Sequence, residues 1–290
     1  MRIIWPWQGR NREFSWLKTG ILALLLLPII RFVYQVQAQE FGILPVALSG
    51  MVFWSGVWAT IILLAALSVT PVAKIFRWNA INDMRRMIGV TALIYTLAHA
   101  IIFFAFRSWD VSVIIDETVT RWSPSVATWS TVGLLALAVT SFDAAVQSMS
   151  VKYWQWLHNA IYVFSTLAIA HVLLVRGVYP EQFVLAGIFF WLMIWRILNR
   201  AGIGTKVIPL LLLAITSCIV TALLEASWFL SRRGYELSGT LQNNFNLDSL
   251  DIGVPPAWQV LAFGFLFVVG ATLRDALRIG RTYEARRVEG

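Results

Sequence analysis

The chain has 290 residues, of which 59% are hydrophobic and 13% charged, and its mean hydropathy is +0.72. One soluble core of this length cannot bury so much apolar surface, so an ordinary globular fold is excluded and the solvent for much of the chain is lipid. A net charge of +8 would suit a nucleic-acid partner, but the cations sort by segment along the chain instead of forming a patch, and nucleic acid is set aside.

Apolar runs of about 18 residues or more recur, a length that crosses a hydrocarbon core of about 30 Å as an α-helix. Eight are expected, at about 17–35, 51–70, 88–106, 125–142, 155–175, 182–199, 207–230 and 257–277, which predicts an all-α integral membrane protein. The first follows several arginines, and Val36-Gln37-Ala38 resembles a signal-peptide cleavage site, but the run is long for a signal sequence and reads as a membrane helix. The longest connections lie around 107–124 and 231–256. No GxGxxG or P-loop follows a strand, Gly202-Ile203-Gly204 is only a short link between helices six and seven, and nothing can fold as an NAD(P)H domain.

Placing the N-terminus in the cytoplasm puts Arg2, Arg10, Arg12, Lys18, Lys74, Arg77, Arg85, Arg86, Lys152, Arg196, Arg200, Lys206, Arg274, Arg278, Arg281, Arg286 and Arg287 inside. The outer side keeps Arg31, Arg107, Arg121, Arg176, Arg232 and Arg233 beside Asp110, Asp116, Glu117, Glu236, Asp248 and Asp251. The excess of inner cations predicts an even helix count with both termini cytoplasmic. Contact of the basic clusters with lipid headgroups is the plain alternative to a ligand site. Of the 15 tryptophans, Trp54, Trp78, Trp109, Trp122, Trp154, Trp156 and Trp258 sit at expected helix ends, as an interfacial aromatic belt does. Cys218, the sole cysteine, can form no internal disulfide.

All three histidines, His99, His158 and His171, fall within expected membrane helices. Ionisable groups at that depth are costly and mark function by default, although a single one more often bridges helices than binds a ligand. Helices three and five run in the same direction, with His99 about 11 residues into one and His171 about 16 into the other, so both lie in the outer half. Two neutral imidazoles from facing helices are a bis-axial arrangement for a low-spin haem iron. His158 lies 13 residues before His171, about 20 Å along an ideal helix and about 220° around it, so one haem cannot use both. At the depth of His158, helix three offers Arg86, a poor iron ligand and a good anion clamp. With Arg85, Lys74 and Arg77 it suits haem propionates or a flavin phosphate, which leaves His158 as a second haem's ligand, a flavin contact or a hydrogen-bonding residue. Asp143 and Glu225 lie on other helices and complete no metal site, and no internal repeat of a transporter kind is present.

Three blocks carry a resemblance. They are Met84-Arg85-Arg86-Met87-Ile88-Gly89 leading to Leu97-Ala98-His99, then Thr140-Ser141-Phe142-Asp143-Ala144-Ala145, then Tyr153-Trp154-Gln155-Trp156-Leu157-His158-Asn159 with Tyr162 and Leu167-Ala168-Ile169-Ala170-His171. Lys18-Thr19, Leu27-Pro28, Ser49-Gly50 and Val69-Thr70-Pro71 add to them. Over about residues 17–200 the chain resembles the MsrQ/YedZ-like haem-binding membrane subunits of the ferric reductase-like transmembrane superfamily.

The resemblance implies a six-helix core with one b-type haem or two, with flavin mononucleotide as a further candidate. It also implies a cytoplasmic flavin reductase or quinol as donor, and a periplasmic molybdenum-containing methionine sulfoxide reductase as acceptor. By motif, His99 and His171 match haem-ligand positions, and His158 and Arg86 match the inner histidine and arginine. Residues 207–290 exceed the six-helix pattern, and Val172-Leu173-Leu174 stands where an aromatic pair is usual.

The sequence therefore predicts a multi-pass cytochrome b of a bacterial inner membrane, an electron-transfer subunit without its own NAD(P)H domain. It would comprise a cytoplasmic N-terminus at 1–16, a haem-binding core at 17–200, and two further helices with a basic tail at 201–290. A ferric or quinone reductase is the rival within the same chemistry, and a transporter or scaffold with structural histidines the rival outside it.

Overall fold

The computed structural model describes residues 7, 13–175, 180–246 and 253–288, without the side chains of residues 143 and 278–288. Arg2, Arg10, Arg12, Arg176, Asp248 and Asp251, and the side chains of Arg278, Arg281, Arg286 and Arg287, lie outside that description. The described residues hold eight spans long and apolar enough to cross a membrane, as the sequence predicts: seven single helices, and Val151–Leu174, which comprises two consecutive ones. Lipid-facing surface leaves no partner for backbone polar groups, so helices that satisfy their own are what such runs must form.

The chain divides into two compact units, Met1–Ala66 with Asp83–Arg176, and Leu67–Asn82 with Gly177–Gly290.

In the first unit, α1 spans Trp16–Gln37, and Ser15 caps it by accepting from the Lys18 amide. The helix α2 starts at Ala47 and continues to Ile75 in the second unit. A short 3-10 turn at Asn79–Met84 leads into α3, Arg85–Phe106. Tyr95 on α3 donates to the Leu25 carbonyl of α1 at 2.7 Å, which ties the first helix to the bundle.

The expected loop around 107–124 contains a helix, α4 at Val111–Thr120. Asp110 caps it, accepting from the Ser112 hydroxyl and the Ser112 and Val113 amides, and these bonds hold its carboxyl below the usual carboxylate range. Glu117 of α4 is buried and paired with Arg107 at 2.8 Å and Arg121 at 2.7 Å. Charges that the sequence places in a long connection are thus a folded ion triad.

The next helix, α5 at Trp122–Val139, packs closely on α8, Ile161–Leu174. A Cβ on Gly133 would come within 2.1 Å of the Phe164 ring, and Ser130 Oγ donates to the Phe164 carbonyl at 2.9 Å. Between them lie two short helices, α6 at Asp143–Ser148 and α7 at Val151–Asn159. The expected fifth span is present as Val151–Leu174, interrupted at Ala160. At Ala160 the amide bonds the Leu157 carbonyl three residues back, a tightened turn that ends α7 before α8 begins.

The second unit is built on α9 at Pro180–Arg200, α10 at Val207–Arg233 and α12 at Pro256–Val288, with the short α11 at Leu237–Phe245 in the other expected loop. Small residues let these backbones approach. A Cβ on Gly187 of α9 would lie 2.1 Å from Thr221 Oγ1 of α10, and one on Gly264 of α12 would lie 2.6 Å from the Ala214 Cβ of α10. Trp191 and Trp195 are fully buried in this core, whereas Trp78, Trp109, Trp122 and Trp156, expected at helix ends, are exposed.

Two arginines serve carbonyls that α2 cannot satisfy. Pro71 has no N–H to give the Leu67 carbonyl four residues earlier, and Arg196 of α9 donates to that carbonyl at 2.9 Å. Ile75 ends α2, and Arg274 of α12 donates to its carbonyl at 3.1 Å and to that of Thr205 at 2.8 Å.

Candidate functional site

Within the first unit, His99 lies in the second half of α3 and His171 in the last turn of α8. The two imidazoles face each other with ring centres 6.3 Å apart and planes inclined by 61°. Both residues are half-buried. Their second contacts come from the starting halves of two other helices, Ser55 on α2 and Ser123 on α5. All four side chains gather at one end of the unit because α2 and α5 run opposite to α3 and α8.

The hydrogen bonds decide which nitrogen is free. His171 Nδ1 lies 3.0 Å from the Ser123 carbonyl oxygen, which can only accept, so Nδ1 carries the hydrogen and donates it. The Ser123 hydroxyl is also 3.0 Å from that nitrogen. Ser55 Oγ donates its hydrogen to the Val52 carbonyl at 3.0 Å and turns a lone pair toward His99 Nδ1, also at 3.0 Å. His99 Nδ1 is therefore a donor as well. Both rings take the tautomer that leaves Nε2 with its lone pair, as a metal-ligating imidazole does when its other nitrogen is held by an acceptor.

The separation fits a metal between the rings. An imidazole nitrogen binds at about 2 Å and stands about 1.2 Å from its ring centre, so two opposed imidazoles on one metal have centres about 6.4 Å apart. No group of three or more His, Cys, Asp or Glu that could hold a metal ion occurs among the described residues. Two nitrogen ligands are too few for a closed tetrahedral site, and they suit a metal whose remaining positions are filled by a planar macrocycle.

His158 stands apart from the pair. It ends α7, stacked on Trp154 at 4.1 Å between ring centres, with Nε2 3.4 Å from Thr140 Oγ1. Trp154 donates to the Thr140 carbonyl at 3.1 Å, so this tryptophan, assigned to the belt by its position, also holds the His158 platform. Arg85 and Arg86 are exposed at the start of α3, 13 and more residues before His99. The offset of about 220° between His158 and His171 assumed an unbroken helix, and the break at Ala160 removes that premise.

Sequence reasoning did not find Ser55, Gly56 or Ser123. Serine is common in membrane helices and nothing local marks these, since Ser55 is 44 residues from His99 and Ser123 is 48 from His171.

Membrane-length helices holding two opposed imidazoles with free Nε2 atoms define a polytopic membrane protein with a paired-histidine centre. The family model for the ferric reductase like transmembrane component matches residues 53–169, which include Ser55, His99, Ser123 and His158 and end two residues before His171. The protein-methionine-sulfoxide reductase heme-binding subunit MsrQ of Azospira oryzae is 30% identical over 196 residues, covering 67% of this chain and 83% of that protein. The MsrQ subunit of Polaromonas naphthalenivorans is 32% identical over 187 residues, covering 63% and 84%, and that of Cronobacter sakazakii 28% over 188, covering 64% and 92%. No solved structure matches the chain. The chain belongs to the MsrQ family of heme-binding subunits.

Proposed function

We propose that this chain is the haem-binding membrane subunit of a protein-methionine-sulfoxide reductase system, with His99 and His171 as the axial ligands of one b-type haem. The observation that carries the reading is the opposed pair itself, 6.3 Å between ring centres with both Nδ1 atoms bonded. Haem held this way supplies one-electron transfer at an iron without an open position. The chain's part is to hold and orient the two imidazoles and to surround them with apolar helices of low dielectric, which tune the potential.

Electrons enter from a cytoplasmic flavin reductase or a quinol and leave to a periplasmic redox partner, a molybdenum methionine sulfoxide reductase. The excess of Lys and Arg on the segments assigned inside supports a bacterial inner membrane with both termini cytoplasmic. The ligand pair then lies toward the periplasmic side, and Arg85, Arg86 and His158 lie toward the donor side, where they form the place for a flavin mononucleotide or a second haem. His158 is not a ligand of the outer haem, since it ends α7, a whole helix before His171 at the far end of α8.

The test is a spectrum. Purified protein reduced with dithionite shows sharp b-type α and Soret bands. His99→Ala and His171→Ala each abolish the outer haem, and His158→Ala leaves its band largely intact. A preparation that stays colourless after haem reconstitution rejects the reading, and loss of all haem in His158→Ala rejects the pairing.

A further inference from the structure

We infer that Ser55 and Gly56, adjacent on α2, form the seat that sets the orientation and electron donation of His99, and that this makes the two axial imidazoles electronically unequal. The inference rests on the haem reading above. It concerns positioning residues, which act through His99 and touch no cofactor themselves.

Two observations support it. Ser55 Oγ is held in one rotamer by donating to the Val52 carbonyl, so its lone pair is presented to His99 Nδ1 at 3.0 Å in a fixed direction. Gly56 leaves the ring its room, since a Cβ there would stand 3.0 Å from His99 Cε1, 3.3 Å from Nδ1 and 3.5 Å from Nε2. The hydroxyl fixes the tautomer and the missing Cβ fixes how near α2 the ring lies.

The two ligands differ in what holds them. His171 Nδ1 donates to the Ser123 main-chain carbonyl, which no side-chain change at position 123 removes, with the Ser123 hydroxyl as an addition. His99 depends on a side-chain oxygen. An acceptor on Nδ1–H pushes electron density into the ring and onto a metal bound at Nε2, favouring the oxidised ion, and its loss raises the reduction potential.

The experiment uses the full-length haem protein, with optical redox titration and low-temperature EPR of the oxidised state. Ser55→Ala keeps haem but shifts the midpoint potential upward and changes the g-values. Ser55→Thr, which restores a hydroxyl, returns both toward wild type, and Ser55→Cys, of similar volume but a weak acceptor, behaves like Ser55→Ala. Ser123→Ala stays near wild type. Gly56→Ala keeps haem with altered g-values, because the ring must give way by a few tenths of an ångström.

The inference is overturned if Ser55→Ala or Ser55→Cys matches wild type, if Ser123→Ala shifts as far as Ser55→Ala, or if Gly56→Ala leaves the g-values unchanged. Should Ser55→Ala lose haem, retention of haem at wild-type potential in Ser55→Thr supports the seat, and loss in Ser55→Thr also overturns it. A wild-type protein without haem bands rejects the functional reading instead, so the two failures are distinguishable.

Discussion

Single side chains decide how closely the helices of the first unit can approach. Gly133 is the tightest case there, with the space for its Cβ already filled by the Phe164 ring. Gly133→Ala must push Phe164 away and part α5 from α8, one of which carries His171 and the other Ser123. Overpacking of this kind costs about 1–3 kcal/mol. Thermal loss of the haem band should move to lower temperature by several degrees, and a variant as stable as wild type would show that the two helices do not meet there as described. The histidines proposed as ligands could be picked out in the sequence, because three of three histidines in apolar runs is a pattern composition alone does not produce. Their expected place in the outer half came from helix parity and a rise of about 1.5 Å per residue, which are local properties. Ser55 and Ser123 could not be picked out, because a contact over 44 or 48 residues leaves no local trace.

At the scale of elements, the interruptions of helices matter more than their lengths. Pro71 leaves the Leu67 carbonyl without its helical donor, and the Arg196 guanidinium takes that place. An unsatisfied carbonyl in an apolar setting costs about 1–3 kcal/mol, so Arg196→Met should destabilise the protein by about that much. Pro71→Ala restores the helical N–H, and the double variant Pro71→Ala with Arg196→Met should recover a good part of the loss. Thermal unfolding of the four proteins measures the coupling, and additive effects would refute the compensation. The proline was visible in the sequence as part of Val69-Thr70-Pro71, but its partner on α9 was not. The break at Ala160 escaped for a related reason. Hydropathy sees Val151–Leu174 as one apolar span, and the tightened turn within it involves no proline or glycine.

For the whole molecule, eight spans imply that successive connections lie on opposite sides of the membrane. Cys218 is buried, so a Cys218→Ala background lets introduced cysteines report sidedness without interference. With the termini cytoplasmic, Asp116→Cys should react with an impermeant thiol reagent added to intact spheroplasts, and Lys152→Cys only after the membrane is opened. The reverse pattern would invert the proposed direction of electron flow. Compactness joins α9 to α10 and α12, and their Gly187–Thr221 and Gly264–Ala214 approaches could not be assigned from hydropathy. All three helices are simply apolar.

By itself the sequence determined the solvent, the eight spans and the likeness to a haem-binding family. Each of these follows from composition, from short motifs, or from a helical rise that is the same everywhere. The tertiary structure alone decided that His99 and His171 face each other, which nitrogen of each is free, that Glu117 is folded between Arg107 and Arg121, and that His158 belongs to Trp154 and Thr140. Rotation about a helix axis and the choice of neighbouring helix are set by packing between distant segments, and hydropathy does not encode either.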